Sequence, residues 1–118
     1  MIQNKESDSL LIPLDDYVPP QSVQENARQG LLLREKWKRG GTHIGVARAL
    51  ELSSGSPIEP QVIFRMVSYF ARHEVDKRSQ NFGNLSCPSA GYIAWLLWGG
   101  DEGRIWAIDL KNRINVLY

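Results

Sequence analysis

A histidine, two acids and an arginine lie within five residues of each other and could take part in acid/base or metal chemistry. They are Arg72, His73, Glu74 and Asp76. On a helix, His73 and Asp76 share a face, and Arg72 and Asp76 form an i,i+4 pair. A metal site needs three or four ligands, and His43 is the only other imidazole. No nucleophile motif lies beside them. We therefore favour a structural polar cluster, keep partner binding as the alternative, and predict no catalytic residue and no metal.

A second group of residues could bind an anion. Lys38, Arg39, Gly40, Gly41 and Thr42 precede a predicted helix. Free amides at a helix N-terminus, with cations beside them, favour a phosphate. The same residues also suit an ordinary tight turn between helices, and they lack the spacing of a P-loop. Further basic residues that could contact the same nucleic acid or partner are Arg72, Lys77 and Arg78.

The tryptophans allow two interpretations. Trp95 and Trp98 are three residues apart on one predicted helical face, and Trp106 follows a Gly-Gly break. Exposed, they would form a platform on which nucleic-acid bases stack. Packed together, they would form a small core with hydrogen-bonded indole N–H groups, which is the interpretation we favour.

The composition is that of one ordinary domain. The chain has 118 residues, 42% hydrophobic and 23% charged, with a net charge of +1. One cysteine allows no internal disulfide and no thiolate zinc cluster. No apolar run approaches the ~20 residues of a membrane span. We expect no cofactor and no membrane partner.

Residues 1–20 are predicted to form an extended arm ahead of a helical domain over residues 21–118. Their formal charge balance is −3, whereas residues 28–48 have a balance of +5. Three prolines within residues 13–20 disfavour a helix and favour extended backbone. The arm's apolar and aromatic residues, which we expect to contact a partner, are Leu10, Leu11, Ile12, Leu14 and Tyr17.

Apolar residues at helical spacing predict an all-α fold of about five short helices in one bundle. Expected helix starts are a capping box at Ser22, caps at Thr42, Ser89 and Asp101, and Pro60 in a first turn. The first predicted helix opens with the capping box at Ser22 and ends at about Lys38. The other four run from about His43 to Leu52, from Pro60 to Lys77, from Ala90 to Trp98, and from Glu102 to Val116.

Two of these helices carry apolar residues whose spacing predicts the buried face. The second is expected to bury Ile44, Ala47 and Leu50. The last is expected to bury Ile105, Trp106, Leu110 and Ile114.

Several strings, in order, resemble a small domain of tailed bacteriophages. They are RGGT at residues 39–42, GVARA at 45–49, SYFARHEVDK at 68–77 and IAWLLWGGD at 93–101. With shorter matches between them, the resemblance covers residues 19–107. Such domains occur alone or beside phage head-morphogenesis proteins such as prohead proteases, and the resemblance implies no catalytic residues.

The resemblance implies a role in virion assembly. We therefore expect a non-enzymatic structural or assembly protein, such as a cement-like capsid module, made in the host cytoplasm and located in the virion. Its partners would be other phage structural proteins in a multimeric assembly, contacted through the arm. The alternative is a small nucleic-acid-binding phage protein that uses the Lys38-to-Thr42 turn with Arg72, Lys77 and Arg78.

Overall fold

Five α-helices make up most of residues 11–117, the part of the chain that the computed structural model describes, and no strand occurs among those residues. The predicted all-α class is confirmed. The helices are α1 (Gln21–Trp37), α2 (His43–Ser53), α3 (Pro60–His73), α4 (Ala90–Leu97) and α5 (Gly100–Leu117).

Three of the predicted helix starts are confirmed. The Thr42 hydroxyl accepts a hydrogen bond from the Gly45 amide at 3.4 Å, and the Ser89 hydroxyl accepts one from the Tyr92 amide at 3.1 Å. Each bond satisfies an amide that has no partner within the first turn of its helix. Pro60 occupies the first turn of α3, where its missing N–H costs nothing.

Two predicted caps and one predicted helix end are wrong. Helix α1 begins at Gln21 without a side-chain cap, so Ser22 lies inside it. Asp101 lies in the first turn of α5, because Gly100 already begins that helix. Helix α3 ends at His73, and one 3₁₀ turn (Glu74–Arg78) follows.

Helix α1 packs against α2 and α4, and α3 packs against α5. The contact between α1 and α4 is made partly by backbone. A Cβ at Gly30 would lie 2.7 Å from the Leu97 backbone nitrogen. Glycine at this position therefore sets how closely the two helices approach.

The core contains aromatic residues from α3 and α4. Trp95 and Phe70 are 1% exposed and meet edge to face, with ring centroids 4.7 Å apart. This arrangement suits the charge distribution of aromatic rings. Trp98 is also buried, at 8% exposure. The interpretation of Trp95 and Trp98 as core residues is confirmed.

The buried face of α2 differs from the predicted one. Ile44 and Leu50 are 53% and 57% exposed, and Ala47 is also exposed. The side chains that pack inward are those of Arg48 and Leu52, joined on the same face by Gly45 and Ala49. Ala49 and Leu52 are completely buried on this face, and the Arg48 guanidinium lies over the buried Trp98 ring.

Helix α5 shows one further difference from prediction. Ile105 is 64% exposed, and Trp106 is half-buried. The predicted residues Leu110 and Ile114 are buried as expected, together with Gly103 and Ala107.

The described part of the arm is attached to the helical body. Leu14–Tyr17 form one 3₁₀ turn, so the expectation of extended backbone is wrong there. Ile12 and Tyr17 pack against the core, and the Ile58 amide donates a hydrogen bond to the Tyr17 carbonyl at 2.9 Å. Leu10, with the rest of residues 1–10, lies outside the described residues.

Candidate functional site

A groove of about 870 Å³ runs between α2, α3 and α4. Its floor consists of small residues, among them Gly91 and Ala94 of α4 and Gly41 of the turn before α2. Ile44 lies on the α2 side, and Phe64 lies on the α3 side. The volume is within the range of about 300–1,000 Å³ that is typical of ligand pockets.

Four stacked side chains form one wall of this groove. The Tyr69 ring stacks on Trp98, with centroids 4.5 Å apart and planes 7° apart, and on His73, with centroids 4.4 Å apart. The Arg48 guanidinium carbon lies 5.0 Å from the Trp98 ring centroid. Such cation–π contacts are strongest where water is excluded. We call Arg48, Trp98, Tyr69 and His73 the stacked wall.

The stacked wall contains two buried polar atoms without a hydrogen-bond partner among the described residues. They are Arg48 Nε and the Tyr69 hydroxyl. Arg48 is 7% exposed and its Nη1 pairs with Glu51, so its charge is balanced while Nε has no hydrogen-bond partner. Burial, and then the nearby Asp76 carboxylate, raise the pKa of the Tyr69 hydroxyl. The hydroxyl therefore stays protonated and can donate a hydrogen bond.

His73 and Asp76 form the predicted pair on one face, with His73 Nδ1 3.1 Å from Asp76 Oδ2. Both line the groove, and both side chains remain partly exposed. Arg72 makes no ion pair with Asp76 or with any other residue between 11 and 117. Within that same range, no group of three or more His, Cys, Asp or Glu residues is arranged to hold a metal ion.

Two exposed cations lie along the α3 side of the groove. Arg65 and Arg72 both line it, and neither has a carboxylate partner in the described part of the chain. The α2 and α4 N-termini, marked by Thr42 and Ala90, lie at the same groove. Helix N-termini carry partial positive charge, so the electrostatics of the groove favour anionic groups.

The glycine turn is shaped by packing. Lys38 adopts a left-handed conformation with φ of 55°, and its ammonium pairs with Glu35 at 2.9 Å. A Cβ at Gly40 would lie 2.5 Å from the Ile93 Cβ. Arg39 lies over the Trp37 ring at 5.4 Å. Of the five residues of this turn that were predicted to contact phosphate, Gly41 and Thr42 line the groove.

Lys77 belongs to a separate and fully bonded network around Trp95. The Trp95 indole N–H donates to Asp101 Oδ1 at 2.9 Å, and the Lys77 ammonium lies 3.0 Å from the same oxygen. Lys77 also lies over the Trp95 ring at 4.8 Å and pairs with Glu74 at 3.6 Å. We call Trp95, Asp101, Lys77 and Glu74 the closed network.

The predicted polar cluster and the predicted basic contacts are thus divided. Gly41, Thr42, Arg72, His73 and Asp76 come together at the groove. The residues found elsewhere are Lys38, Arg39, Gly40, Glu74, Lys77 and Arg78.

Sequence reasoning missed the importance of Arg48 and Tyr69. The sequence predicts no role for Arg48, although Gly45, Ala49 and Leu52 share its helical face and are buried. The helical spacing of these small and apolar residues could have predicted that Arg48 lies on the buried face of α2. Nothing in the sequence indicates that the Tyr69 hydroxyl has no partner.

The arm forms a second and smaller apolar surface at the start of α3. Leu11 and Leu14 are 48% and 68% exposed, beside a hollow of about 360 Å³ that is also lined by Ile58 and Leu117. Asp16 pairs with Arg113 of α5 and holds this part of the arm in place.

Comparisons of the chain with protein families, with curated proteins and with solved structures find no match. Among residues 11–117, none of the helices combines the length and apolar character needed to cross a lipid bilayer.

Proposed function

We propose that the protein is a non-enzymatic structural or assembly component of a tailed bacteriophage virion, and that it contacts a neighbouring capsid or head protein through its arm. The setting comes from the resemblance over residues 19–107. The observation that carries the contact is the arm's two-sided arrangement. Ile12 and Tyr17 pack on the core, while Leu11 and Leu14 face outward.

This arrangement suits a docking segment. Fixing a flexible segment on binding costs conformational entropy, and a segment already held on its own domain avoids part of that cost. Three contacts hold it: the packing of Ile12, the Ile58-to-Tyr17 hydrogen bond and the Asp16–Arg113 ion pair. Exposed leucines next to an apolar hollow then offer the area that a partner can bury.

The test uses the full-length protein with Leu11→Asp and Leu14→Asp together. Deleting residues 1–20 would also remove the buried Pro19, so point substitutions are the cleaner change. We expect the variant to remain folded and to lose co-sedimentation with phage heads. Leu32→Asp is the matched control, because Leu32 on α1 is 70% exposed and lies away from the arm. Undiminished binding of the double variant would contradict the assignment of the arm.

Nucleic-acid binding is the second candidate. Its support is that Arg72 lies at the same groove as Gly41 and Thr42, where helix N-termini also favour phosphate. The affinity for nucleic acid should then fall steeply as the salt concentration rises. The double variant with Arg72→Ala and Arg78→Ala should bind more weakly than the parent protein at any given salt concentration. A mobility-shift titration without a complex at low ionic strength would exclude this candidate.

A further inference from the structure

The groove between α2, α3 and α4 carries a second inference, which does not depend on a role in phage assembly. We propose that the groove is a docking site for an acidic peptide segment with apolar side chains, supplied by a partner protein. Four features of the described residues support this occupant.

The first feature is charge. Arg65 and Arg72 are exposed at the groove without carboxylate partners in the range 11–117, and the only acid lining the groove, Asp76, is paired with His73. The α2 and α4 N-termini add partial positive charge at Thr42 and Ala90. An acidic occupant is complementary to this field, and such complementarity favours the right partner and speeds encounter.

The second feature is spacing. Arg65 and Arg72 are seven residues apart on α3, which places them two turns and roughly 10 Å apart along the helix. A single small anion does not span that distance. Two acids three positions apart on a polyproline II chain do, since each residue advances about 3.1 Å and every third side chain lies on the same face.

The third feature is the shape and polarity of the groove. The small residues Gly41, Gly91 and Ala94 line it and project no large side chain into it. The side opposite the arginines is apolar, because Ile44 stands there 53% exposed. A peptide with acids on one face and apolar side chains on the other fits both sides.

The fourth feature is the pair of unsatisfied atoms in the stacked wall. Arg48 Nε and the Tyr69 hydroxyl are donors on residues that are more than nine-tenths buried and that line the groove. A buried donor without a partner is unfavourable, because it has lost its hydrogen bonds to water and gained none in return. A bound peptide carries one carbonyl acceptor per residue, and a small adjustment of the wall would let such a carbonyl satisfy one of these donors.

Nucleic acid fits the same groove less well. The rings of Trp98 and Tyr69 are 8% and 4% exposed, so no base can stack on them. The unpaired arginines lie on the α3 side alone, whereas a phosphate backbone would also meet the apolar Ile44.

The experiment is a selection from a random dodecapeptide display library on the immobilised full-length protein. Peptides that also bind the variant with Arg65→Glu and Arg72→Glu are removed by counter-selection. The most enriched peptide is then synthesised, and its affinity is measured by fluorescence anisotropy. We expect acids separated by two residues, with apolar side chains between or beside them.

Variants decide whether the groove is the binding site. We expect Arg65→Ala with Arg72→Ala to weaken binding about tenfold or more, and Tyr69→Phe to weaken it severalfold. Arg78→Ala is the matched control, since Arg78 is an exposed cation outside the groove and should change nothing. Circular dichroism confirms that each variant is folded.

Four outcomes would overturn the proposal. The first is that the selection yields no peptide whose binding depends on Arg65 and Arg72, and the second is that the enriched peptides lack acids. The third is that peptides with Asn and Gln in place of Asp and Glu bind equally well. Tighter binding of a single-stranded oligonucleotide with the same arginine dependence would also overturn it, in favour of nucleic acid. The variant with Leu11→Asp and Leu14→Asp should bind the peptide normally. The proposed peptide site and the proposed docking role of the arm are therefore tested independently.

Discussion

Trp95 on α4 and Trp98, directly after its end, are three residues apart, yet their surroundings are opposite in kind. Around Trp95 the polar partners are complete, because the indole N–H donates to Asp101 and Lys77 pairs with that carboxylate. Beside Trp98, the stacked wall leaves Arg48 Nε and the Tyr69 hydroxyl without partners. Both tryptophans have a cation over the ring. The difference therefore lies in hydrogen bonding. The bonded groups around Trp95 contribute to stability, whereas the unpaired donors beside Trp98 border the groove in which we propose that a peptide binds.

The largest expected effect comes from removing Trp95. Trp95→Ala should lower the free energy of unfolding by about 3–5 kcal/mol, because it opens a cavity beside Phe70 and removes one of the two donors that Asp101 accepts from. Chemical denaturation monitored by far-ultraviolet circular dichroism measures the loss. Leu32→Ala, at an exposed position, should stay within about 0.5 kcal/mol of the parent protein. Equal effects of the two changes would contradict the role assigned to Trp95.

A smaller change isolates the hydrogen bond of the closed network. Trp95→Phe keeps an aromatic ring but deletes the N–H that Asp101 accepts. We expect a loss of about 1–2 kcal/mol, since a hydrogen bond to a charged group is stronger than a neutral one. A double-mutant cycle with Asp101→Ala, which removes the acceptor, should show coupling. Strict additivity would mean that the bond contributes nothing.

The corresponding change in the stacked wall should have the opposite sign. Tyr69→Phe removes a buried hydroxyl that has no partner and leaves the stacking on Trp98 and His73 unchanged. We expect stability to be equal to the parent or higher by up to about 1 kcal/mol. Denaturant midpoints at constant m value give the comparison. A clear loss of stability would show that the hydroxyl is bonded and would weaken the contrast with Trp95.

The smallest effect is a dependence on pH. Burial works to raise the pKa of Asp101, but the hydrogen bonds from Lys77 and Trp95 together hold that pKa below its ordinary value. The stabilisation from Asp101 is therefore present above the pKa of the unfolded chain, about 3.9, and is lost as pH falls through the lower folded value. Because the carboxylate is largely exposed, we expect a modest slope. Asp101→Asn should reduce that slope, and an unchanged slope would assign it to other acids.

Local sequence determined much of the fold. The hydroxyls of Thr42 and Ser89 cap their helices as predicted, and Pro60 opens α3, because each signal acts within one turn. Helix α4 is apolar on nearly every side and is buried as expected.

The prediction failed where two faces of one helix competed. Helix α2 offers the stripe Ile44, Ala47 and Leu50, and a second stripe that includes Arg48 and Leu52. Hydrophobicity alone favours the first stripe. The second is buried, with Leu52 at 0% exposure and the Arg48 guanidinium over the ring of Trp98 just after α4, a long-range contact that no local pattern reveals.

The groove was predictable only in part for the same reason. The face shared by His73 and Asp76 follows from helical spacing, and the structure places that pair at the groove. The approach of α2 and α4 to this face depends on tertiary packing. Gly30, which lets α1 contact the backbone of α4, is one position at which that packing is determined.

The near-parallel rings of Tyr69 and Trp98 have a spectroscopic consequence. Two aromatic chromophores held 4.5 Å apart, with planes 7° apart, couple their electronic transitions and should give a strong near-ultraviolet dichroism band. That signal depends on fixed tertiary packing, so it would vanish in a molten state that retained its helices. Because the same rings border the groove, the protein carries an optical reporter of occupancy that needs no attached dye.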